Sequence, residues 1–355
     1  SKTMFVRNSE DTVRQEFGIN NREDSDEDSV ILEWVEREFF SQAFTGHNEF
    51  EQGDLGHAID WRASYSRTER DEPDRRSYRY INNNLAFSAF ERRWSDLEED
   101  AIDLGVDYSL DWNWGDVSTT QFQLGALWSD KDREVEQYRF GYIQGDNFNN
   151  LDVSIDQNLE TEVLPYQNFA LDRIRLTTRT TATDSYDSEE EIQAAFFNTN
   201  TDIGEDWSVQ LGVRYEDFDQ TLEYPNDRES DSELQYDDWY PALNATWRLT
   251  EQIQFRVGYS ETVSYPGLIE RSTAQTYDPD TDDPIFGNPD LEVSTIDNYD
   301  ARAEYYFSET ESVSLAIFYK DITDPVERAV PDSSGSATIR GITFINQDDA
   351  ELFGV

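Results

Sequence analysis

Between Ile102 and Trp114 every second residue is apolar: Ile102, Leu104, Val106, Tyr108, Leu110, Trp112 and Trp114 alternate with Asp103, Gly105, Asp107, Ser109, Asp111 and Asn113. A helix would scatter these side chains around its circumference, whereas a strand sends alternate residues to opposite faces. The same period recurs in Val209, Leu211, Val213, Tyr215; in Ile253, Phe255, Val257, Tyr259; and in Val313, Leu315, Ile317, Tyr319. Ile59, Trp61, Ala63, Tyr65 and Phe122, Leu124, Ala126, Trp128 follow it too. The intervening positions carry Asp60, Arg62, Gln121, Gln123, Gln210, Arg214, Gln254 and Arg256, which need water or a polar lumen. Each run spans about 9–12 residues, the length a tilted strand needs to cross a bilayer. An aromatic residue tends to close the apolar series, as an interfacial girdle requires.

A membrane barrel also reconciles two conflicting bulk properties. Mean hydropathy is −0.80 and 30% of the residues are charged, as in a soluble or partly disordered chain. Yet 21 Phe, 19 Tyr and 9 Trp are too many for a chain that buries nothing. In a barrel only alternate strand residues meet lipid, while loops and lumen stay polar. No apolar run is long enough for a transmembrane helix.

The connections give an independent signal. Short links are expected near 50–54, 95–98, 131–132, 201–206, 250–251, 308–311 and 347–350. Long ones are expected near 20–29, 70–83, 144–186, 220–236, 263–296 and 322–337, with a modest link at 113–118 as the exception to their alternation. Outer-membrane barrels sort their connections in this way, short turns on the periplasmic side and long loops outside. The fold expected is all-β: a large antiparallel transmembrane β-barrel, of which residues 1–355 supply roughly fifteen strands out of the roughly 22 of plugged transporters. An incomplete barrel would leave open strand edges in lipid. The chain is therefore expected to belong to a longer polypeptide, cut at both ends. The absence of an initiating Met or signal peptide at Ser1 agrees with that expectation.

Charge and residue usage exclude several functions. There is no cysteine, hence no thiol chemistry, disulfide or cysteine zinc site. His47 and His57 flank a short turn, too few for a histidine-based metal or catalytic centre, and no nucleophile motif is present. The chain is read as a non-enzyme without cofactor or metal. A net charge of −49 argues against nucleic acid as partner, since phosphate binding needs clustered Lys and Arg. Its plainer reading is a heavily solvated surface adapted to salt; attraction of cations is the alternative. The stretch Asp278 to Asp283 has carboxylates at alternate positions, as calcium loops do, but lacks the glycine and distal Glu of an EF-hand. A solvated acidic loop is the simpler account, as for Glu23 to Asp28 and Asp184 to Glu191.

From Glu191 onward the order of motifs becomes specific. Glu191 to Phe197 resembles the strand opening the C-terminal half of a TonB-dependent receptor barrel. Gly212-Val213-Arg214-Tyr215-Glu216 is similar to that family's "GvRyE" strand, and Tyr240 to Asn244 to its "lPslN" strand start. Arg256 to Pro266 resembles the motif "R.gyS.tvsRP", with Tyr265 where the family has Arg, so that arginine's role does not carry over. Gly287-Asn288-Pro289-Asp290-Leu291, then Asn298-Tyr299-Asp300, Glu304 to Phe307 and Phe318 to Ile322 complete the match. Upstream, Asp60 to Ser66 and Asp71 to Asp74 resemble earlier barrel strands more loosely. The resemblance lacks the plug domain, the TonB box and the last strands.

The resemblance implies a receptor in the outer membrane of a Gram-negative bacterium, importing a scarce nutrient (oligosaccharide, siderophore or similar) with energy from TonB. Its partners would be outer-membrane lipid, the small ligand, and the TonB complex acting through the plug. Gly212, Arg214, Tyr215, Pro266, Gly287, Asn288, Pro289 and Leu291 are read as structural motif residues. Tyr166, Phe169, Tyr224, Tyr236, Tyr277 and Phe286 fall in expected outer loops, where aromatic rings either stack on a ligand or pack the loops together. Two other readings stay open: a passive porin, and a soluble acidic carbohydrate-binding β-protein with a closed two-sheet core.

Overall fold

The computed structural model describes residues 1–20, 25–53, 55–115, 118–277, 284–308, 310–330 and 341–355. One antiparallel sheet dominates it, and its main strands follow chain order. They are β1 (Lys2–Asn20), β2 (Ser25–Gln52), β3 (Leu55–Ile81), β4 (Glu91–Asn113), β5 (Ser118–Gln144) and β6 (Tyr186–Ile203), then β7 (Trp207–Glu223), β8 (Ser232–Arg248), β9 (Ile253–Ser264), β10 (Ser294–Tyr306), β11 (Ser312–Thr323) and β12 (Asp349–Gly354). Two short strands, Asn84–Leu85 and Ile174–Thr178, append to β3 and β5. Two small ribbons in the long connections bring the described strands to 18. The edge strands β1 and β12 do not pair with each other.

The register aligns the apolar alternation into continuous rows on one face. Phe44 lies opposite Ala63, Ala63 opposite Leu104, and Leu104 opposite Trp128. Farther along, Val257 faces Ala301 and Ala301 faces Ile317. A one-residue slip at any pair would turn the row inward, so the face fixes the register. Among the described residues nothing covers it: Leu124, Leu211, Val257 and Leu315 are 57%, 50%, 53% and 61% exposed. Aromatic residues bound the rows at both ends. Trp207 stacks on Trp247 at 5.4 Å near the short turns, and Tyr215 meets Trp239 at 5.0 Å toward the long connections. Trp207 and Tyr215 are roughly 27 Å apart along an extended strand before tilt, close to the apolar band of about 25 Å in outer-membrane barrels.

From β2 onward short and long connections alternate strictly. Residues 53–54, 114–117, 204–206, 249–252 and 307–311 turn the chain at one end, while 82–90, 145–185, 224–231, 265–293 and 324–348 connect it at the other. Gly53 and Gly204 sit in the short turns at φ +67° and +61°, a region open to glycine without steric cost.

Several expected links need correction. Residues 95–98 and 131–132 are not links but the interiors of β4 and β5, paired through Leu97 opposite Val135 and Asp100 opposite Asp132. Once they are removed, 113–118 becomes an ordinary short turn and the exception disappears. Residues 347–350 lie at the long-connection end, where Asp349 pairs with Thr323. Most of 70–83 is strand as well, since β3 runs to Ile81. The reason is physical: alternation marks only the part of a strand that meets lipid. Beyond that level both faces are in water, so polar residues fill every position while the backbone ladder continues. The two-sheet core of the soluble alternative is not present among the described residues. Their buried apolar clusters lie at the long-connection end, the largest around Phe90, Tyr142, Val163 and Ile174.

Candidate functional site

The face opposite the apolar rows is polar and laced with ion pairs. Arg62 reaches Asp107 at 2.9 Å. Gln254, Arg256 and Arg302 converge on Glu304 at 2.9, 3.5 and 2.8 Å, and Glu304 is buried among them. Such residues belong to a water-filled interior, not to lipid.

At the long-connection end the chain after β9 folds back over this inner face. Tyr265 stacks on Phe218 (3.8 Å, 9° between planes) and donates to Glu216 at 3.0 Å, the same carboxylate that receives Arg214. Helix α2, Leu268–Arg271 (with α1 kept for Tyr166–Ala170), opens after Gly267, whose N–H is accepted by Glu270 at 2.8 Å. Arg271 is 1% exposed; it donates to Gln220 at 2.8 Å and to the Pro289 carbonyl at 3.2 Å. Burial lowers its pKa from the ordinary arginine value.

Around α2 the structure gathers the second set of motif residues. The N–H of Gly287 donates to Ser272 at 3.0 Å and that of Asn288 to Glu270 at 2.6 Å. The Asn288 amide also donates to the Phe344 carbonyl at 3.0 Å, and Leu291 is buried with Ile285 and Phe344. A β-carbon on Gly287 would strike the Ser272 and Glu270 carbonyls. Pro266 is buried beside α2, and Gly212 lies on β7 where a β-carbon would meet the Asn198 amide. Tyr215 alone of these points outward, donating to Asp237 at 3.2 Å.

The six aromatic candidates do not form one cluster. Tyr166, on α1, is 84% exposed, while Phe169 on the same helix packs against Tyr142 at 5.8 Å. Tyr224 is 1% exposed and accepts the Thr273 N–H at 2.9 Å, so in this structure it is a packing residue out of a ligand's reach. Tyr236 is not in a loop but within β8, where it donates to Asp238 at 3.1 Å. Phe286 is half-buried, its N–H bonded to Ile342. The alternating carboxylates of Asp278 to Asp283 lie outside the described residues. His47 is held between Asp60 (2.7 Å) and Glu49 (2.8 Å), and His57 by Tyr108 (2.7 Å), both beside the short turn at 53–54.

Tyr277 has the most built surroundings, and its partners are not singled out by the sequence. The guanidinium groups of Arg75 and Arg93 both lie over its ring, 5.2 and 5.0 Å from the centroid. Its hydroxyl donates to Glu91 at 2.8 Å and receives the Gln275 amide at 3.0 Å. Burial, reinforced by Glu91, raises the phenol pKa above the ordinary tyrosine value. Beneath it Glu72, 1% exposed, takes Arg93 at 2.8 Å and Arg70 at 3.2 Å. Arg139 pairs with Asp184 at 2.8 Å and donates to Gln275 at 2.7 Å. The one signal available is compositional: in a chain of 77 acids and 28 bases, Arg75-Arg76 and Arg92-Arg93 are conspicuous pairs of cations.

The family model described as TonB dependent receptor-like, beta-barrel matches residues 13–355. The chain belongs to that family. Among solved structures it is similar to the siderophore receptor PirA from Pseudomonas aeruginosa, at 13% identity and a TM-score of 0.47, over 99% of this chain and 61% of that one. The ferric-catecholate import receptor Fiu from E. coli K12 gives 11% and 0.44, over 99% and 57%. FpvA of P. aeruginosa, bound to a heterologous pyoverdine, gives 12% and 0.48, over 98% and 51%. The chain thus spans about half to three fifths of the length of these receptors. No curated protein matches it.

Proposed function

We propose that this chain forms the wall of an outer-membrane receptor, in a Gram-negative bacterium, that imports a scarce nutrient with energy from TonB. The observation that carries this reading is the asymmetry of the sheet. One face presents uncovered apolar rows between two aromatic belts, and the other is polar, ion-paired and partly covered by the connection after β9. The first face suits hydrocarbon and the second a water-filled path. TonB would act through a plug region whose residues are not among those of this chain.

The ligand would be met at the long-connection end. Tyr166, with its ring free, is the best placed of the six aromatic candidates; Phe169, Tyr236 and Phe286 offer partial surfaces. A net charge of −49 favours neutral oligosaccharides or cationic complexes over an anionic ferric siderophore, whose approach it would repel. The test is uptake of radiolabelled candidates by cells expressing the full-length gene, with and without TonB. The reading expects ligand-specific uptake that is lost without TonB. Uptake that persists without TonB contradicts it and favours a passive porin.

A further inference from the structure

Residues 265–277 reach from the end of β9 across the inner face to strands that lie far from β9 in the sheet. Their two ends are held in different ways. At the root the contacts are tight and largely apolar: Leu268 and Ala274 join Tyr186, Leu222 and Tyr224 in one buried cluster, and Arg271 is pinned on Gln220. At the tip no apolar cluster forms among the described residues. The tip rests on β3, β4 and β5 through polar and cation–π contacts: Tyr277 against Arg75 and Arg93, its hydroxyl on Glu91, and Gln275 held by Gln137 and Arg139 at 3.1 and 2.7 Å.

The wall beneath does not need the tip to balance its charges. Arg70, Arg75 and Arg93 gather on Glu72, with Glu33 beside Arg75, and Arg139 is held by Glu91 and Asp184, so each of these charges keeps an opposite partner within the wall. A buried ion pair that keeps its charged partner persists, whereas one stripped of that partner does not. The neutral ring of Tyr277 can therefore leave without stranding a charge. The tip is held by cation–π contacts and a few hydrogen bonds, those to Glu91 and Arg139 charge-assisted, with none of the apolar burial that fixes the root.

We propose that residues 265–277 are a strap latched over the inner face, with Tyr277 as the latch and the Arg75–Arg93 pair as its catch, so that freeing this one ring uncovers the wall of β3–β5. The inference goes beyond the transport reading and does not depend on which nutrient, if any, is carried.

The absence of cysteine from these 355 residues allows a direct test with single-cysteine reporters. Gln137→Cys, a wall position 5% exposed beneath the strap, would be introduced into the full-length protein in outer membranes and labelled with a membrane-impermeant maleimide; it gives up the bond to the Gln275 carbonyl in every variant alike, so only Tyr277 differs between them. Labelling is expected to be slow with Tyr277 present and at least about tenfold faster with Tyr277→Ala. With Tyr277→Phe, which keeps the ring but loses the bond to Glu91, it is expected to stay within about threefold of the starting rate. Two further reporters separate unlatching from misfolding: Ala194→Cys, buried elsewhere, must remain slow, and Tyr166→Cys, exposed throughout, must remain fast. If Tyr277→Ala leaves labelling of the Gln137→Cys reporter unchanged, the latch is overturned. Faster labelling of both the Gln137→Cys and the Ala194→Cys reporters overturns it too, because the ring would then be holding the wall itself.

Discussion

Single residues carry most of the specificity at the long-connection end. Glu72 is the hub of the wall network, 1% exposed and within reach of Arg70, Arg75 and Arg93. Removing one partner of a buried ion pair leaves the other uncompensated, so Glu72→Ala should destabilise the protein by about 3–5 kcal/mol. Urea unfolding in lipid vesicles measures this, and a loss below about 1 kcal/mol would mean that water reaches the site. Gly287→Ala should cost about 1–3 kcal/mol in the same assay, since its new methyl meets backbone carbonyls that side-chain movement cannot clear. Asp172 illustrates pH dependence. Hydrogen bonds from Arg175 (2.6 Å) hold its carboxyl below the ordinary aspartate value. A depressed folded pKa contributes stability that is whole above about pH 4 and is lost as pH falls through the folded value. Hydrogen exchange across residues 145–175 should therefore quicken, relative to its intrinsic rate, between about pH 6 and about pH 3 in the natural protein. In Asp172→Asn that contribution should already be missing at the higher pH, with a smaller further change on acidification.

At the scale of elements, alternation was legible wherever a strand meets lipid on one face. The apolar series of β4, β7, β9 and β11 read directly from the sequence and lie on one face of the sheet. What misled was the polar length of the same strands. Asp96-Leu97-Glu98 and Asp130-Lys131-Asp132 look like turns because nothing apolar repeats there, yet they are paired backbone beyond the girdle. The motif Gly287-Asn288-Pro289 was legible as structural. That it folds against α2 was not, because the contact joins residues brought close only by the return of the chain. The surroundings of Tyr277 were hidden for the same reason, since it and Glu91, which accepts its hydroxyl, are 186 residues apart. The face assignment has its own consequence in β9. Val257→Arg puts a cation among the outward rows and should cost about 2–4 kcal/mol near the bilayer midplane. Ser260→Arg, on the inner face and farther along the same strand, should cost far less. Equal costs in vesicle unfolding would show that the two faces do not differ in surroundings.

For the whole molecule, membership of the receptor family rests on the match across residues 13–355, and its membrane placement on the uncovered face of the sheet. A soluble protein of this size would bury such rows under a second layer. Here the buried clusters sit at the long-connection end, and the apolar face of the sheet has no covering layer among the described residues. The most direct check is a cysteine scan of Ile253 to Ser260 in the full-length protein reconstituted in vesicles, each site carrying a spin label. Relaxation by oxygen, which concentrates in lipid, is then compared with relaxation by a water-soluble nickel chelate. The expected result is strict alternation, with positions 253, 255, 257 and 259 favouring oxygen and positions 254, 256, 258 and 260 favouring the chelate. Labels that favour the chelate at every position, or that show no period of two, would contradict the placement of this sheet in a membrane.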